Sequence, residues 1–208
     1  MPLTPSKIVC VGRNYHAHAR ELGNEVPSEP LLFLKPPSSL LASGAAIVLP
    51  RASRQVEYEG EIGVVVGHRL RRASEQEAER AIEGVVAVND VTARDLQRSD
   101  GQWTRAKGVD TVCPVADAPG PVDDHGGLTI VTRVNGSERQ RAPSNEMVFP
   151  IPTLLAYISR IMTLEVGDLL ATGTPGGVGP LRDGDIVTVE ISGVSRIENP
   201  VAEEREPS

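Results

Sequence analysis

Residues 56–66 read VEYEGEIGVVV. The second half of this stretch is apolar and valine-rich, as a buried strand requires, yet Glu57, Glu59 and Glu61 stand at alternate positions in its first half. Strand side chains alternate faces, so the three glutamates are expected on one side, neighbours roughly 6.5 Å apart. Tyr58, Gly60, Ile62, Val64 and Val66 then point the other way. Carboxylates held that close and drawn partly out of water repel one another and lose hydration, so they protonate or share a cation. A solvated face on an edge strand is the other reading of the pattern.

A third acid lies downstream. VVAVNDVTARDLQ (85–97) places Asp90 at the end of a second valine-rich strand, where the chain turns. A carboxylate at the mouth of a buried strand can complete a Glu/Glu/Asp set, and such oxygen ligands suit a hard divalent ion, Mg²⁺ or Mn²⁺. Asp90 could equally cap a short helix over 92–97. In GRNYHAHARE (12–21), His18 and Glu21 are three residues apart and share a face if the segment is helical. A carboxylate behind an imidazole orients it and raises its basicity, as proton abstraction from water requires; an exposed helix pair with no role is the alternative. Lys107 sits in TRAKGVDT (104–111), just before a strand-like segment. The run GTPGGVG (173–179) is glycine-rich, but it matches neither a dinucleotide fingerprint nor a phosphate loop. A nest of backbone N–H groups for a carboxylate fits it better. No G-x-S-x-G occurs, so a nucleophile-elbow hydrolase is not indicated.

The other elements are short. Strands are expected at 7–12, 31–34, 45–50, 55–67, 85–92, 168–173 and 185–193, the last pairing with the segment that follows it. Helices are expected at 15–22, at 74–84 and at 151–164, the second with Ser74 as N-cap, Glu77 as its reciprocal partner and Gly84 as its stop. Residues 128–140 read as a hairpin turning at Asn135-Gly136. Residues 202–208 are expected to fray. Many short strands with a few helices make a β-rich α+β domain, without the regular strand–helix alternation of a doubly wound sheet. The chain has 208 residues, enough for one domain with a sizeable core. Lys and Arg number 21 against 28 Asp and Glu, a net charge of −7, and aromatic residues make up 3%. A nucleic-acid partner, which needs a positive face and stacking rings, is therefore not expected. No apolar run reaches the ~20 residues of a membrane span, and no signal peptide is visible. Cys10 and Cys113 both lie in apolar contexts and read as free buried thiols. A soluble cytoplasmic protein is expected.

In their joint order, the blocks VGRNYHAHARE, EPLLFLKP, EYEGEIGVVVG, NDVTARDLQ, RAKGVDTVCPV, VNGSERQ and LLATGTPGGVGP resemble the fumarylacetoacetate hydrolase family over residues 7–200 or so. The compact members of that family include acylpyruvate hydrolases, oxaloacetate decarboxylases and the 2-hydroxyhepta-2,4-diene-1,7-dioate isomerases of aromatic catabolism. The resemblance implies a mixed β-roll in a single domain, a homodimer, and Mg²⁺ or Mn²⁺ on Glu59, Glu61 and Asp90. It places Lys107 as the active-site lysine, and His18 and Glu21 as a catalytic dyad on a mobile lid over residues 13–26. Gln97 and Thr174 fall on the substrate side, with Arg13 and Arg94 inside the motifs and Glu57 outside the ligand set. RAKGVDTVCPV is closer to the isomerases, whereas GRNYHAHARE is closer to the hydrolases and decarboxylases. A small oxo-acid substrate follows, whose enolate the metal and Lys107 would stabilise. A catalytically silent ligand-binding member of the fold is the reading from another class.

Overall fold

The computed structural model describes residues 3–21 and 25–205. In chain order the elements are β1 (Ile8–Gly12), α1 (His16–Glu21), β2 (Leu31–Lys35), β3 (Leu40–Ala42), β4 (Ile47–Leu49), β5 (Val56–Tyr58), β6 (Gly60–Val66), α2 (Glu75–Arg80) and β7 (Ile82–Asn89). Next come β8 (Thr92–Ala93), α3 (Arg94–Ser99), α4 (Thr104–Lys107), β9 (Cys113–Val115), β10 (Thr129–Val134) and β11 (Ser137–Pro143). Then follow α5 (Ile151–Ile161), β12 (Leu169–Ala171), β13 (Gly179–Pro180), β14 (Ile186–Ile191) and β15 (Ser195–Glu203). No helix among the described residues is long and apolar enough to cross a membrane.

The strands form a β-rich α+β fold of three sheets. The largest runs β2-β1-β12-β6-β7-β9-β3, with parallel pairings only at β1/β12 and β3/β9. A second runs β11-β10-β14-β15-β4, and a small third runs β13-β5-β8. Strands β6 and β7 pack under β10, β14 and β15. Their valines (Val64, Val65, Val66, Val85, Val86, Val88) join Ile130, Val189 and Ile191 in the core. Helix α5 buries Ile151, Leu154, Leu155 and Ile158 on one face, the spacing its sequence shows, and lies beside α2.

The stretch 55–67 is two strands, not one. It leaves the large sheet at Glu59, which belongs to neither β5 nor β6. Asn89 Oδ1 accepts the Glu59 N–H, and the Asp90 N–H donates to the Glu59 carbonyl. Gly60 permits the change of sheet, because a Cβ there would stand 1.9 Å from Thr132 Oγ1. The break brings Glu59 beside Glu61 and Asp90 and sends Glu57 to the small sheet, against Arg94.

Other boundaries also differ from the expectation. The capping box at Ser74 and Glu77 forms, but α2 stops at Arg80 and Gly84 lies inside β7. There the Gly120 carbonyl oxygen would stand 2.5 Å from a Cβ, so Gly84 answers a close backbone approach rather than a helix end. Helix α5 ends at Ile161, because Leu164 bridges to Leu70 in extended conformation. The hairpin turns at Asn135 (φ 52°) and Gly136 (φ 76°), as the Asn-Gly pair requires. Residues 202–203 do not fray, since they extend β15 alongside β4. Residues 206–208 of the expected tail, and residues 22–24 of the expected lid, lie outside the described residues.

Candidate active site

The start of β6, the turn after β7 and the end of α4 converge on one cavity of about 360 Å³. Its lining includes Glu59, Glu61, Asp90 and Lys107, with His18, Arg13, Arg94, Gln97 and Thr174 around them. One carboxylate oxygen each from Glu59, Glu61 and Asp90 lies within 4.8 Å of the other two, and all three side chains are buried. Three acids this close in a dry pocket need positive charge, and the fold supplies it from three sides. Lys107 Nζ donates to Glu59 Oε2 at 2.8 Å and to Asp90 Oδ2 at 2.6 Å. Arg94 joins Glu57, through Nε at 2.8 Å, to Glu59 Oε1 and Gln97. Lys35 Nζ donates to Asp90 Oδ1 at 2.8 Å.

Glu57, Glu59, Glu61 and Asp90 thus face Lys35, Arg94 and Lys107, which leaves one acid in excess. That imbalance falls on Glu61. Burial first, and then the charges of Asp90 and Glu59, push its carboxyl well above the usual range; among the described residues its only donor is the Gly173 N–H at 2.8 Å. Burial also works against ionisation of Glu59, but the Lys107 and Arg94 charges outweigh it and hold that carboxyl low. Lys107 is held charged in return, because Asp90 and Glu59 overcome the cost of its burial. An all-oxygen donor set, buried and one positive charge short, fits a hard divalent cation.

His18 is 4% exposed and lines this cavity, so α1 stands at the site rather than away from it. Its Nδ1 is 3.6 Å from Glu21 Oε2, an ion-pair distance that leaves Nδ1 without a hydrogen bond. Burial lowers the His18 pKa below 6.5, with opposing pulls from Glu59 and Arg94. The Glu21 carboxylate accepts the Gly177 N–H at 3.0 and 3.2 Å, which ties α1 to the glycine-rich segment. The nest expected for a ligand carboxylate therefore holds two of the protein's own: Glu61 at Gly173 and Glu21 at Gly177. Thr174 donates to the Gly60 carbonyl and accepts from Gln140, so its hydroxyl is engaged by the fold as well. Arg94 is likewise committed to protein acids. Arg13 lines the cavity in left-handed backbone conformation (φ 59°).

Several contributors escape a reading of motifs. Lys35 does, although alternation along LLFLK puts Leu31, Phe33 and Lys35 on one face, and a lysine that shares a face with Phe33 is a signal. Phe33 and Trp103 form an edge-to-face wall, with centroids 5.2 Å apart, and Lys107 lies 4.9 Å from the Phe33 ring centre. Asn14 fastens the segment before α1 through the Thr172 and Phe149 carbonyls and the Phe149 N–H.

Residues 7–202 match the family model described as fumarylacetoacetate (FAA) hydrolase C-terminal. The mitochondrial oxaloacetate tautomerase of Arabidopsis thaliana is 44% identical over 199 residues, which cover 93% of this chain and 89% of the relative. The crystal structure of 2-hydroxyhepta-2,4-diene-1,7-dioate isomerase from Mycobacterium marinum superposes with TM-score 0.91 at 41% identity, covering 99% of this chain and 77% of that one. Fumarylpyruvate hydrolase from Pseudomonas aeruginosa, in complex with Mn²⁺ and pyruvate, gives 0.90 at 30% identity, covering 97% and 91%. With its mixed sheets, its buried acid cluster and a match along nearly its whole length, the chain belongs to the fumarylacetoacetate hydrolase family.

Proposed function

We propose that this protein is an Mg²⁺- or Mn²⁺-dependent enzyme acting on β-diketo acids and oxaloacetate, cleaving the C3–C4 bond of a 2-oxo acid. The observation that carries the reading is the single cavity joining three clustered carboxylates, a buried lysine and a buried histidine. A divalent ion on Glu59, Glu61 and Asp90 would supply the Lewis acid for the substrate's 1-carboxylate and 2-oxo oxygen. Lys107 donates to the negative charge that develops on that oxygen as the bond breaks. His18, uncharged at neutral pH, takes a proton from water as the water oxygen adds to C4, with Glu21 turning the imidazole. The C3–C4 electron pair then stays on C3, which takes a proton, so an acylpyruvate gives pyruvate and a carboxylic acid. With oxaloacetate the same cleavage releases CO₂ and needs no water attack. Arg13 and Gln97 bind the substrate at the rim, while Phe33 and Trp103 exclude bulk water.

A second reading is proton transfer alone, in which His18 takes a C3 proton and returns it elsewhere. It draws on the names of the Arabidopsis tautomerase and the Mycobacterium isomerase. Acetylpyruvate, oxaloacetate followed for both CO₂ release and enol–keto exchange, and a 2-hydroxy-2,4-dienedioate, assayed side by side with and without chelator, separate the two. Chelator-sensitive C–C cleavage supports the first reading. Enol–keto or double-bond migration without cleavage supports the second, and chelator-resistant turnover of all three defeats both. The working form is a homodimer in the cytoplasm. The half-exposed Leu34 on edge strand β2 supports the first part. Two buried free cysteines, with Cys113 pushed up to about 12 by burial, suit a reducing compartment.

A further inference from the structure

The donors around the three acids divide unevenly between their oxygens. Arg94 Nη2 holds Glu59 Oε1, the Gly173 N–H holds Glu61 Oε2, and Lys35 Nζ holds Asp90 Oδ1. Each of these donors is anchored elsewhere or enclosed. Arg94 also binds Glu57 and Gln97, Gly173 is backbone, and Lys35 is 1% exposed with the Val91 carbonyl 3.4 Å from its Nζ. One oxygen remains on each acid. Glu59 Oε2 and Asp90 Oδ2 both hold Lys107 Nζ, and Glu61 Oε1 accepts nothing from the described residues. The ammonium of Lys107 therefore stands where two of the free oxygens meet.

We propose that Lys35, Arg94 and the Gly173 N–H restrict each carboxylate to a single donor oxygen and so select Mg²⁺ or Mn²⁺ over Ca²⁺, with Lys107 as the cation that an entering ion displaces. The inference rests on the metal-dependent reading above and adds a reason for the choice of ion. Ca²⁺ takes six to eight oxygens in flexible geometry and gains from carboxylates that bind through both oxygens. Mg²⁺ needs few carboxylate oxygens and keeps waters, so a site offering one oxygen per acid disfavours the larger ion. Displacement also frees Lys107 to turn toward the substrate. Lys35 stays on Asp90 and is a positioning residue.

Titration calorimetry of Mg²⁺, Mn²⁺ and Ca²⁺ into metal-stripped full-length protein tests this without turnover. The wild type should bind Mg²⁺ and Mn²⁺ at least about tenfold more tightly than Ca²⁺. Lys35→Met and Lys107→Met each remove one ammonium from Asp90, so their gross charge effects match. Lys107→Met should tighten all three ions by a similar factor, because only the competitor has gone. Lys35→Met should move the Ca²⁺-to-Mg²⁺ preference toward Ca²⁺ by roughly tenfold, because Asp90 regains its second oxygen. Equal shifts for every ion in Lys35→Met, or wild-type Ca²⁺ affinity matching that for Mg²⁺, overturn the selection. The wild-type comparison decides the matter if either variant fails to fold. Binding with Ca²⁺ ahead leaves the metal-dependent function standing, whereas no binding by any ion removes that function too.

Discussion

His18 shows what one side chain gains from its surroundings. Burial lowers its pKa below 6.5, so it is neutral at pH 7 and able to accept a proton. The folded pKa lies below the unfolded one, so the stability tied to neutral His18 is present above about pH 6.5 and declines as the pH falls through that window. The acid limb of kcat/KM for acylpyruvate hydrolysis should accordingly lie below pH 6.5, and a limb at or above that value would contradict the buried neutral imidazole. His18→Ala should reduce that hydrolysis by about 10²–10⁴-fold, the usual weight of a general base. Oxaloacetate decarboxylation should fall less, since it needs no activated water; equal losses in the two assays would give His18 a role in organising the site instead. Lys107→Met should cost about 3–4 kcal/mol of transition-state stabilisation, read from kcat/KM, as for comparable donors to developing charge. Unchanged turnover on every active substrate would remove Lys107 from the chemistry. Glu59 behaves differently from an acid that is merely repelled by its neighbours. It pairs with both Lys107 and Arg94, so Glu59→Ala removes one of the two carboxylate partners of each buried cation as well as losing a ligand oxygen.

At the scale of the element, the break between β5 and β6 makes the site. A continuous strand would have kept the glutamates at regular spacing along one face. Across the break Glu57 and Glu59 share Arg94, while Glu59 alone of the two gathers with Glu61 and Asp90. Gly60 permits it because Thr132 Oγ1 occupies the space of a side chain. Gly60→Ala should therefore destabilise the fold by about 1–3 kcal/mol through overpacking and weaken metal binding together with it. Ser74→Ala, at the capping box of α2, should cost about 1 kcal/mol in chemical denaturation and leave metal affinity unchanged. If Gly60→Ala kept full metal affinity, the break would be incidental to the site.

Across the whole molecule, the site ties all three sheets together. Glu61 belongs to the large sheet, Gln140 to the second, and Glu57 to the small third one. Gln140 accepts the Gly60 N–H and donates to Thr174 and the Pro175 carbonyl, so it locks the hairpin to β6 and to the glycine-rich segment. An ion bound here should stabilise the protein as one unit. At a free Mg²⁺ or Mn²⁺ concentration near 100 times Kd, the gain is about 2.7 kcal/mol, visible as a single melting transition moving upward. A chelator should reverse the shift, and a melting temperature indifferent to both treatments would count against an ion at this position.

Local patterning was legible without the structure. The apolar strands, the Asn-Gly turn, the Ser74 capping box and the amphipathic α5 follow from alternation, helical spacing and turn chemistry, which act over a few residues. The acids, Lys107 and His18 could be singled out for their residue types in unlikely settings. Their arrangement could not be read, because it depends on contacts between residues far apart in the chain. Alternation put Glu57 with the other two glutamates; in the structure it shares Arg94 with Glu59 but sits on β5, outside the three-acid cluster. Lys35 lies just past the strand expected at 31–34, and only folding sets it against Asp90, 55 residues away in the chain. Arg94 and Thr174 kept their places at the cavity but proved to be held by Glu57, Glu59 and Gln140. A sequence shows which charges a chain carries; how buried charges pair is settled by desolvation, which exists only once the core has closed around them.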